Sequence, residues 1–110
     1  MSAQYMIKKS SDNQYYFNLT AENNEIILTS EMYVSKSGAQ DGIAAVKKNS
    51  PRDDRFDRHN STDGKHYFTL KAANNEVIGK SETYNSEEAM EGGIRAVKRV
   101  GAYSQVSDQT

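Results

Sequence analysis

The sequence predicts an α+β fold in which one unit, three antiparallel strands followed by an amphipathic helix, is written twice. Three observations predict it. The chain matches itself at an offset of 51 residues. Each copy contains segments in which apolar and polar residues alternate, as in half-buried strands. Each copy then ends in an apolar stripe with helical spacing. We therefore expect an antiparallel sheet with two helices packed on one face.

The internal repeat is dense and free of gaps. Between residues 16–50 and 67–101, 17 of 35 positions are identical. Convergence of local propensities does not maintain a register over that length, so the chain is a tandem duplication. The identical segments include Tyr16-Phe17, Asn23-Asn24-Glu25, Ser30-Glu31, Tyr33 and Gly42-Ile43 with their partners 51 residues later.

Two strands and a tight turn open each unit. The first strand is predicted at Tyr5–Lys8 and, more weakly, at Phe56–Arg58. Asp12-Asn13 and Asp63-Gly64 tolerate left-handed backbone, so the chain can double back after them. The second strand, Tyr15–Thr20 or His66–Lys71, alternates. In the first copy one face is predicted to carry Phe17, Leu19 and Ala21, and the other Tyr16, Asn18 and Thr20.

A second turn and a third strand follow. Asn23-Asn24 and Asn74-Asn75 supply the turn, and the third strand is predicted to extend from Glu25 to about Met32 and from Glu76 to about Thr83. A two-residue turn would pair Ala21 with Ile26, whereas the identity of Ile27 and Ile78 favours a bulged, longer turn, so both registers stay open. Gly79 interrupts the β-branched pattern and is a second candidate for a bulge.

The helix of each unit begins after a serine. Ser35 and Ser86 are predicted N-caps. The apolar stripe consists of Ala39, Ile43 and Val46 in the first copy and Met90, Ile94 and Val97 in the second. Gly42 and Gly93 lie on the buried side, where glycine is costly in a helix. We interpret them as points of close approach, with Tyr33 and Tyr84 filling the gap.

The domain organisation follows from the repeat. We predict one compact domain over residues 1–110, with repeat 1 at 4–50 and repeat 2 at 55–106. The segment Asn49–Lys65 joins the units. The tail from Ala102 to Val106 alternates and is expected to add a strand, whereas Ser107–Thr110 is expected to fray.

Composition limits the classes of function. The net charge is −1 and there is no cysteine, so neither a strong attraction for nucleic acid or anionic lipid nor a thiolate site is predicted. We see no signal peptide and no apolar stretch of membrane-spanning length, and we expect a cytoplasmic protein without membrane contact.

The shared motifs resemble a known family. The pattern Ala-x-Asn-Asn-Glu-Ile/Val-Ile, then Ser-Glu-x-Tyr, then Gly-Ile-x-Ala-Val-Lys, is similar to the YegP-like family of uncharacterised bacterial proteins, in its duplicated form. The resemblance implies β-β-β-α-β units that merge into a single sheet and exchange their terminal strands. It implies no activity and no functional residue. Asn24 and Asn75 occupy a turn position where family members often have glycine.

No constellation for catalysis, metal binding or cofactor binding emerges from the sequence. His59 and His66 occur only in the second copy, and their proximity to Ser61 and Asp63 does not by itself hold a nucleophile against a base. The acidic residues Asp53, Asp54 and Asp57 match neither a calcium loop nor a zinc set. We therefore predict no catalytic residue, no metal and no cofactor.

Three functions remain as hypotheses. The first is a non-catalytic interaction or structural module, acting as a monomer or weak homodimer, whose exposed sheet edge takes up a protein strand. The second is binding of single-stranded nucleic acid on the helix-free face of the sheet. The third is a small enzyme without a recognisable motif. The ligand-face candidates for the second hypothesis are Tyr16, Tyr67, Lys71 and Lys80, with Thr69 beside them.

Overall fold

A seven-stranded sheet forms the body of the protein, in the order β4-β5-β6-β3-β2-β1-β7. The computed structural model describes residues 2–110, so Met1 of the predicted 1–110 domain lies outside the described residues. The elements are β1 Gln4–Lys9, β2 Tyr15–Thr20, β3 Ile26–Ser30, α1 Lys36–Asn49, a 3₁₀ turn Asp53–Arg55, β4 Phe56–Asn60, β5 His66–Lys71, β6 Val77–Lys80, α2 Glu87–Val100 and β7 Gln105–Asp108.

The two copies are joined at the centre of the sheet, where β3 pairs with β6 in antiparallel fashion. Thr29 lies directly opposite Lys80, and Lys80 is the residue of the second copy that corresponds to Thr29. A residue that faces its counterpart marks a two-fold axis, so the duplicated chain has the symmetry of a homodimer of single units. This pseudo-two-fold axis places each site in one copy beside an equivalent in the other.

The meander of each copy contains the bulge that the sequence left open. Leu19 pairs with Leu28 and Thr20 with Ile26, so Ile27 is the extra residue. The second copy skips Ile78 in the same way. Because the bulge also occurs where Leu28 replaces Gly79, it does not depend on the glycine. The third strands were predicted too long, since they end at Ser30 and Lys80.

Serine hydroxyl groups explain why the third strands end. The Ser30 hydroxyl accepts a hydrogen bond from Phe17 N at 2.9 Å and donates one to Glu31 O at 2.8 Å. Ser81 does the same for Phe68 in the second copy. The side chain thus takes the place of the next backbone partner in the ladder. The repeated Ser-Glu pair therefore marks the point where each third strand ends.

The turns and caps form as predicted. Asn24 and Asn75 have positive φ angles of 69° and 71°, in the left-handed region that asparagine tolerates. Ser35 accepts from Gly38 N at 3.0 Å and Ser86 from Ala89 N at 3.1 Å, which caps both helices.

Both helices pack on the same face of the sheet and cover an apolar core. A Cβ at Gly42 would lie 2.8 Å from Cζ of Tyr33 and 2.9 Å from Cε2 of Phe17. Gly93 has the same relation to Tyr84 and Phe68. The glycines therefore permit the close approach predicted from their position in the helix.

The last strand completes the sheet from the far end of the chain. Strand β7 follows α2 of the second copy but pairs in parallel with β1 of the first, with Tyr5 opposite Val106 and Ile7 opposite Asp108. This is an exchange of a terminal strand between units. The expectation that Ser107–Thr110 fray was wrong, because Gln109 N donates to Ile7 O at 2.9 Å.

The helix-free face is more closely packed than the alternation predicted. Asn18 and Thr20 point away from the helices, yet only 4% and 2% of their surfaces are exposed. The Asn18 amide donates to Thr29 Oγ1 at 3.0 Å, and the Thr20 hydroxyl donates to Gln4 O at 3.2 Å. Neighbouring strands on both sides supply these partners, which a single strand pattern does not reveal.

Candidate functional site

The four predicted ligand-face residues share the helix-free face. Thr69 pairs with Lys80 across β5 and β6, and Lys80 pairs with Thr29, so this row of residues faces away from the helices. Tyr67 and Lys71 lie on the same side of β5, and Tyr16 lies at the equivalent place on β2. The structure thus brings these residues onto one surface, but Tyr16 lies on β2 of the first copy and the other three lie on β5 and β6 of the second.

Internal contacts engage much of this surface in the second copy. The Tyr67 ring stacks on His59 with centroids 4.9 Å apart, and Lys80 Nζ lies 4.7 Å from the same ring centroid. Lys71 pairs with Asp57 at 3.2 Å. The first copy differs, because Lys8, the counterpart of His59, lies opposite Tyr16. The predicted ligand face is therefore asymmetric. In the second copy, Tyr67 already has an aromatic partner and a cationic partner within the protein.

The histidine, serine and aspartate candidates do not converge. His59 Nε2 lies 3.0 Å from Thr69 Oγ1. Ser61 and Asp63 hydrogen-bond to each other within the turn, where Asp63 also accepts from Lys65 N at 3.3 Å. That contact with Ser61 holds the pKa of Asp63 below its usual range. Within residues 2–110, no three His, Cys, Asp or Glu side chains come together as metal ligands.

The outer edges of the sheet are not equivalent, although the copies are. Strand β1 is covered by β7, whereas β4, which is the counterpart of β1, has β5 on one side and stands at the end of the described sheet on the other. Ile7 O accepts from Gln109 N, and the counterpart of Ile7 is Arg58. An open edge of this kind presents backbone donors and acceptors to a further strand.

Charges at the two edges are of opposite sign. Lys36, in the first turn of α1, holds β7 through an ion pair with Asp108 at 2.8 Å. This pair lowers the pKa of Asp108. The counterpart of Lys36 in α2 is Glu87, and Glu88 follows it. The helix end beside the open β4 edge is therefore acidic where the equivalent end beside β7 is basic.

A network of charged side chains lies beside the β4 edge. The guanidinium of Arg58 binds both Glu91 oxygens, at 2.8 and 3.1 Å, and reaches Asp53 at 3.1 Å. Asp53 also pairs with Lys98. These partners lower the pKa of Asp53 and of Glu91. The network links side chains of the 3₁₀ turn, β4 and α2.

Each helix forms a groove with the β-turn of the opposite copy. The Glu22 groove lies between α2 and the β2–β3 turn, and its lining includes Ala21, Glu22, Asn23, Ala96 and Arg99. The Ala73 groove lies between α1 and the β5–β6 turn, and it is lined by Ala45, Lys48, Asn49, Arg52, Arg55, Ala72, Ala73 and Asn74. Five positions of the two grooves correspond at the repeat offset, whereas the counterparts of Asn49, Arg52 and Arg55 do not line the Glu22 groove.

The equivalent grooves carry different charges. In the Glu22 groove, the Arg99 guanidinium binds Glu22 through two hydrogen bonds, of 3.0 and 2.9 Å. Hydrogen bonding to Arg99 lowers the pKa of Glu22 to about 2. In the Ala73 groove the position of Glu22 is taken by Ala73, while Lys48 replaces Arg99 and two further cations, Arg52 and Arg55, line the wall. The cation of the first groove is thus paired with a carboxylate of the same groove, whereas all the charged side chains that line the second groove are cations.

The sequence reasoning did not find the Ala73 groove. The signal was available as differences between the copies: Ala73 against Glu22, and Asn49 against Val100. The sequence does not show that α1 and the β5–β6 turn are neighbours, because no local pattern indicates that α1 packs beside a turn of the other copy.

Comparison with known families gives the same duplication. The family described as "Domain of unknown function (DUF1508)" matches the chain twice, over residues 10–57 and 61–108. The helices, of 14 residues each within the described chain, are not long and apolar enough to cross a membrane.

Relatives and solved structures agree with this assignment. The chain is 46% identical to the UPF0339 protein YegP of Escherichia coli K12 over 110 residues, which is 100% of both chains. It is 50% identical to a UPF0339 protein of Bordetella pertussis over 106 residues, or 96% of each. The solution NMR structure of yegP from E. coli, titled a protein of unknown function, superimposes with a TM-score of 0.94 at 46% identity and covers 100% of this chain and 95% of that chain. A UPF0339 protein of Shewanella oneidensis gives a TM-score of 0.92 at 44% identity, covering 98% and 92%.

Proposed function

The chain belongs to the DUF1508 family, in its duplicated form, and we propose that it is a non-catalytic interaction module that binds an extended segment of a partner protein at the outer edge of β4. The observation that carries the proposal is the difference between two equivalent strands. Strand β1 has β7 beside it, and β4 has no such neighbour within the described residues.

The β1–β7 pair supplies the geometry of the proposed complex. Strand β7 runs parallel to β1 with Gln4 opposite Gln105 and Ile7 opposite Asp108. Transferred by the pseudo-two-fold axis, an incoming strand runs parallel to β4 and lies beside Phe56 and Arg58. Recognition of this kind draws affinity from backbone hydrogen bonds and specificity from alternate side chains.

Charge at the helix end defines the partner further. The Lys36–Asp108 pair fixes β7, and the equivalent of Lys36 is Glu87. A partner strand with a lysine or arginine at the position of Asp108 would reproduce this ion pair with the signs reversed. The module is therefore proposed to select an extended segment that carries a basic residue.

Peptides copied from β7 test the proposal. We would titrate ¹⁵N-labelled protein with a peptide of residues 104–110 and with the same peptide carrying Asp108→Lys, and follow backbone amide shifts by NMR. We expect the lysine peptide to shift the Arg58 and Asn60 amides and to bind about tenfold more tightly than the aspartate peptide, since one charge-assisted contact changes from repulsive to attractive.

Two controls make the test specific. Glu87→Lys in the protein should reverse the preference between the two peptides, because it restores the polarity found beside β7. A peptide with N-methylated alternate amides should not bind, because it cannot complete the ladder. Equal binding of both peptides by the native protein and the variant, or shifts confined to Tyr16 and Tyr67, would contradict strand addition at β4.

A second candidate function is binding of single-stranded nucleic acid on the helix-free face. The observation that favours it is the cluster of Tyr67, His59 and Lys80, since aromatic rings with adjacent cations stack and neutralise nucleotides. Fluorescence anisotropy with mixed-sequence DNA and RNA tests it at low and moderate salt. Saturable, salt-sensitive binding lost in Tyr67→Ala but kept in Glu87→Lys would support it. Either function is proposed to operate in the cytoplasm.

A further inference from the structure

We propose that the Ala73 groove is a binding site for the carboxylate of a small organic acid, a role separate from strand addition at β4. The groove lies between α1 and the β5–β6 turn, on the helix side of the sheet. It is a depression of about 480 Å³, a volume within the range of small-ligand pockets.

The Glu22 groove shows where the carboxylate would sit. There, Glu22 reaches across from the β2–β3 turn and binds Arg99 through both of its oxygens. The Ala73 groove has the same turn and the same helix position, but Ala73 provides no carboxylate and Lys48 stands in place of Arg99. In the Glu22 groove the chain itself supplies a carboxylate to the helix cation, and in the Ala73 groove it does not.

A buried asparagine orients one of the cations that line the Ala73 groove. Asn49, with 5% of its surface exposed, donates from Nδ2 to Ala45 O at 2.8 Å. Its Oδ1 accepts from Arg55 Nε at 3.0 Å. These two contacts fix the amide and orient the guanidinium. The counterpart of Asn49 is the buried Val100, so a buried polar side chain in the first copy corresponds to a buried apolar one in the second.

The remaining walls limit the size and orientation of the ligand. Ala45, Ala72 and Ala73 give the groove small apolar surfaces, which suit a short hydrocarbon body. Arg52 pairs with Asp54 at 3.3 Å on an exposed surface. Because exposed ion pairs are weak, a ligand carboxylate can replace Asp54 as the partner of Arg52.

The groove continues beyond Ala45 toward Tyr33, where Glu31, Asp41 and Glu76 line it. This continuation is acidic, so the carboxylate is confined to the end near Lys48 and Arg55.

Titration with glutarate, which resembles the side chain of Glu22, tests the site directly. We would follow backbone amides of Ala73 and Asn74 and the Nε–H of Arg55 by NMR, with inorganic phosphate as the second probe at equal ionic strength. We expect glutarate to give saturable shifts at these three groups and phosphate to bind more weakly. Arg55→Gln should weaken glutarate about tenfold, since a charge-assisted contact is lost.

Substitutions taken from the other copy provide matched controls. Ala73→Glu installs the carboxylate that Glu22 supplies in the equivalent groove, so it should abolish glutarate binding while the fold, monitored in the same spectra, is kept. Arg99→Gln removes the cation of the Glu22 groove and should leave glutarate affinity unchanged. Three results would overturn the proposal: tighter binding of phosphate, shifts spread equally over Lys8 and Lys80, or binding that survives Ala73→Glu.

Discussion

At the scale of single residues, the pseudo-two-fold axis explains why some corresponding positions of the two copies carry residues of very different size. Leu28 and Gly79 are counterparts, and they touch across the axis, where a Cβ at Gly79 would lie 2.9 Å from Leu28 Cγ. Ser50 and Gly101 are also counterparts in contact, with 2.7 Å between Ser50 Cβ and a Cβ built at Gly101. A large residue can meet its counterpart only if the counterpart is small. A fused duplication permits this difference, which identical chains cannot have.

Gly42→Ala should destabilise the protein even though alanine is the better helix former. The new methyl group would overlap the Tyr33 ring and approach Phe17, and such overpacking costs about 1–3 kcal/mol. The free energy of unfolding in urea, measured by circular dichroism, checks this. Gly92→Ala is the matched control, because its Cβ meets Arg95 Nη2 at an unstrained 3.6 Å; it should stabilise by up to about 1 kcal/mol. Equal effects of the two variants would contradict the role of close approach.

Ser30→Ala should cost about 1–3 kcal/mol, because it leaves the buried Phe17 N without its acceptor. Ser50→Ala is a second buried serine substitution with the opposite expectation. The Ser50 hydroxyl is fully buried and has no hydrogen-bond partner within the described residues, so its removal should leave stability unchanged or raise it. The melting temperatures of the two variants, compared with that of the native protein, test both expectations. A larger loss for Ser50→Ala would show that burial alone, and not hydrogen bonding, sets the cost.

At the scale of elements, much of the architecture could be predicted from the sequence. The turns, the N-caps and the helical stripes depend on residues close together in the chain, and each of these patterns occurs in both copies. The packing of Asn18 and the order of the strands depend on distant segments. The Ala73 groove illustrates this limit, because Lys48 and Ala73 belong to different copies. Local patterns do not encode such contacts, so the shared face of Tyr16 and Tyr67 could be predicted from strand alternation, whereas the groove was missed.

The exchanged strand β7 should be held by the ion pair at its end. Lys36→Glu places a negative charge beside Asp108 and should speed hydrogen exchange of the Gln109 amide, which bonds to Ile7 O, severalfold. The global free energy of unfolding should change little, because the pair is exposed. Lys36→Glu combined with Asp108→Lys restores the attraction and should restore slow exchange. If the double variant exchanges as fast as the single one, charge does not hold this strand.

At the scale of the whole molecule, fusion of two units converts a symmetric dimer into an asymmetric protein. In a homodimer, both edges and both grooves would have to be the same. Here one edge is covered by β7 and the other is open, and one groove holds a Glu22–Arg99 pair while the other collects Lys48, Arg52 and Arg55. The proposed strand site and the proposed carboxylate site are each the member of an internal pair that lacks the intramolecular partner seen in the other member. The member that has this partner therefore serves as the template for each.

Acid should destabilise the protein through its surface carboxylates. Arg99 lowers the pKa of Glu22 from its ordinary 4.5 to about 2, and cationic partners also lower those of Asp53 and Asp108. A carboxylate with a depressed folded-state pKa stabilises the folded protein fully above its ordinary pKa, and this stabilisation is lost as the pH falls through the folded value. For Glu22 the loss lies between pH 4.5 and about pH 2.

Comparison of the native protein with Glu22→Gln isolates this contribution. The difference between their urea midpoints should be constant above about pH 5.5 and shrink toward zero near pH 2, because protonation removes the same charge as the substitution. The difference should be small throughout, since the pair is exposed and screened by solvent. Arg99→Gln is the complementary control, and its pH dependence should follow the same course. A difference that grows on acidification would mean that Glu22 is stabilised in its protonated form, and the Glu22 groove could then not serve as the template for carboxylate binding.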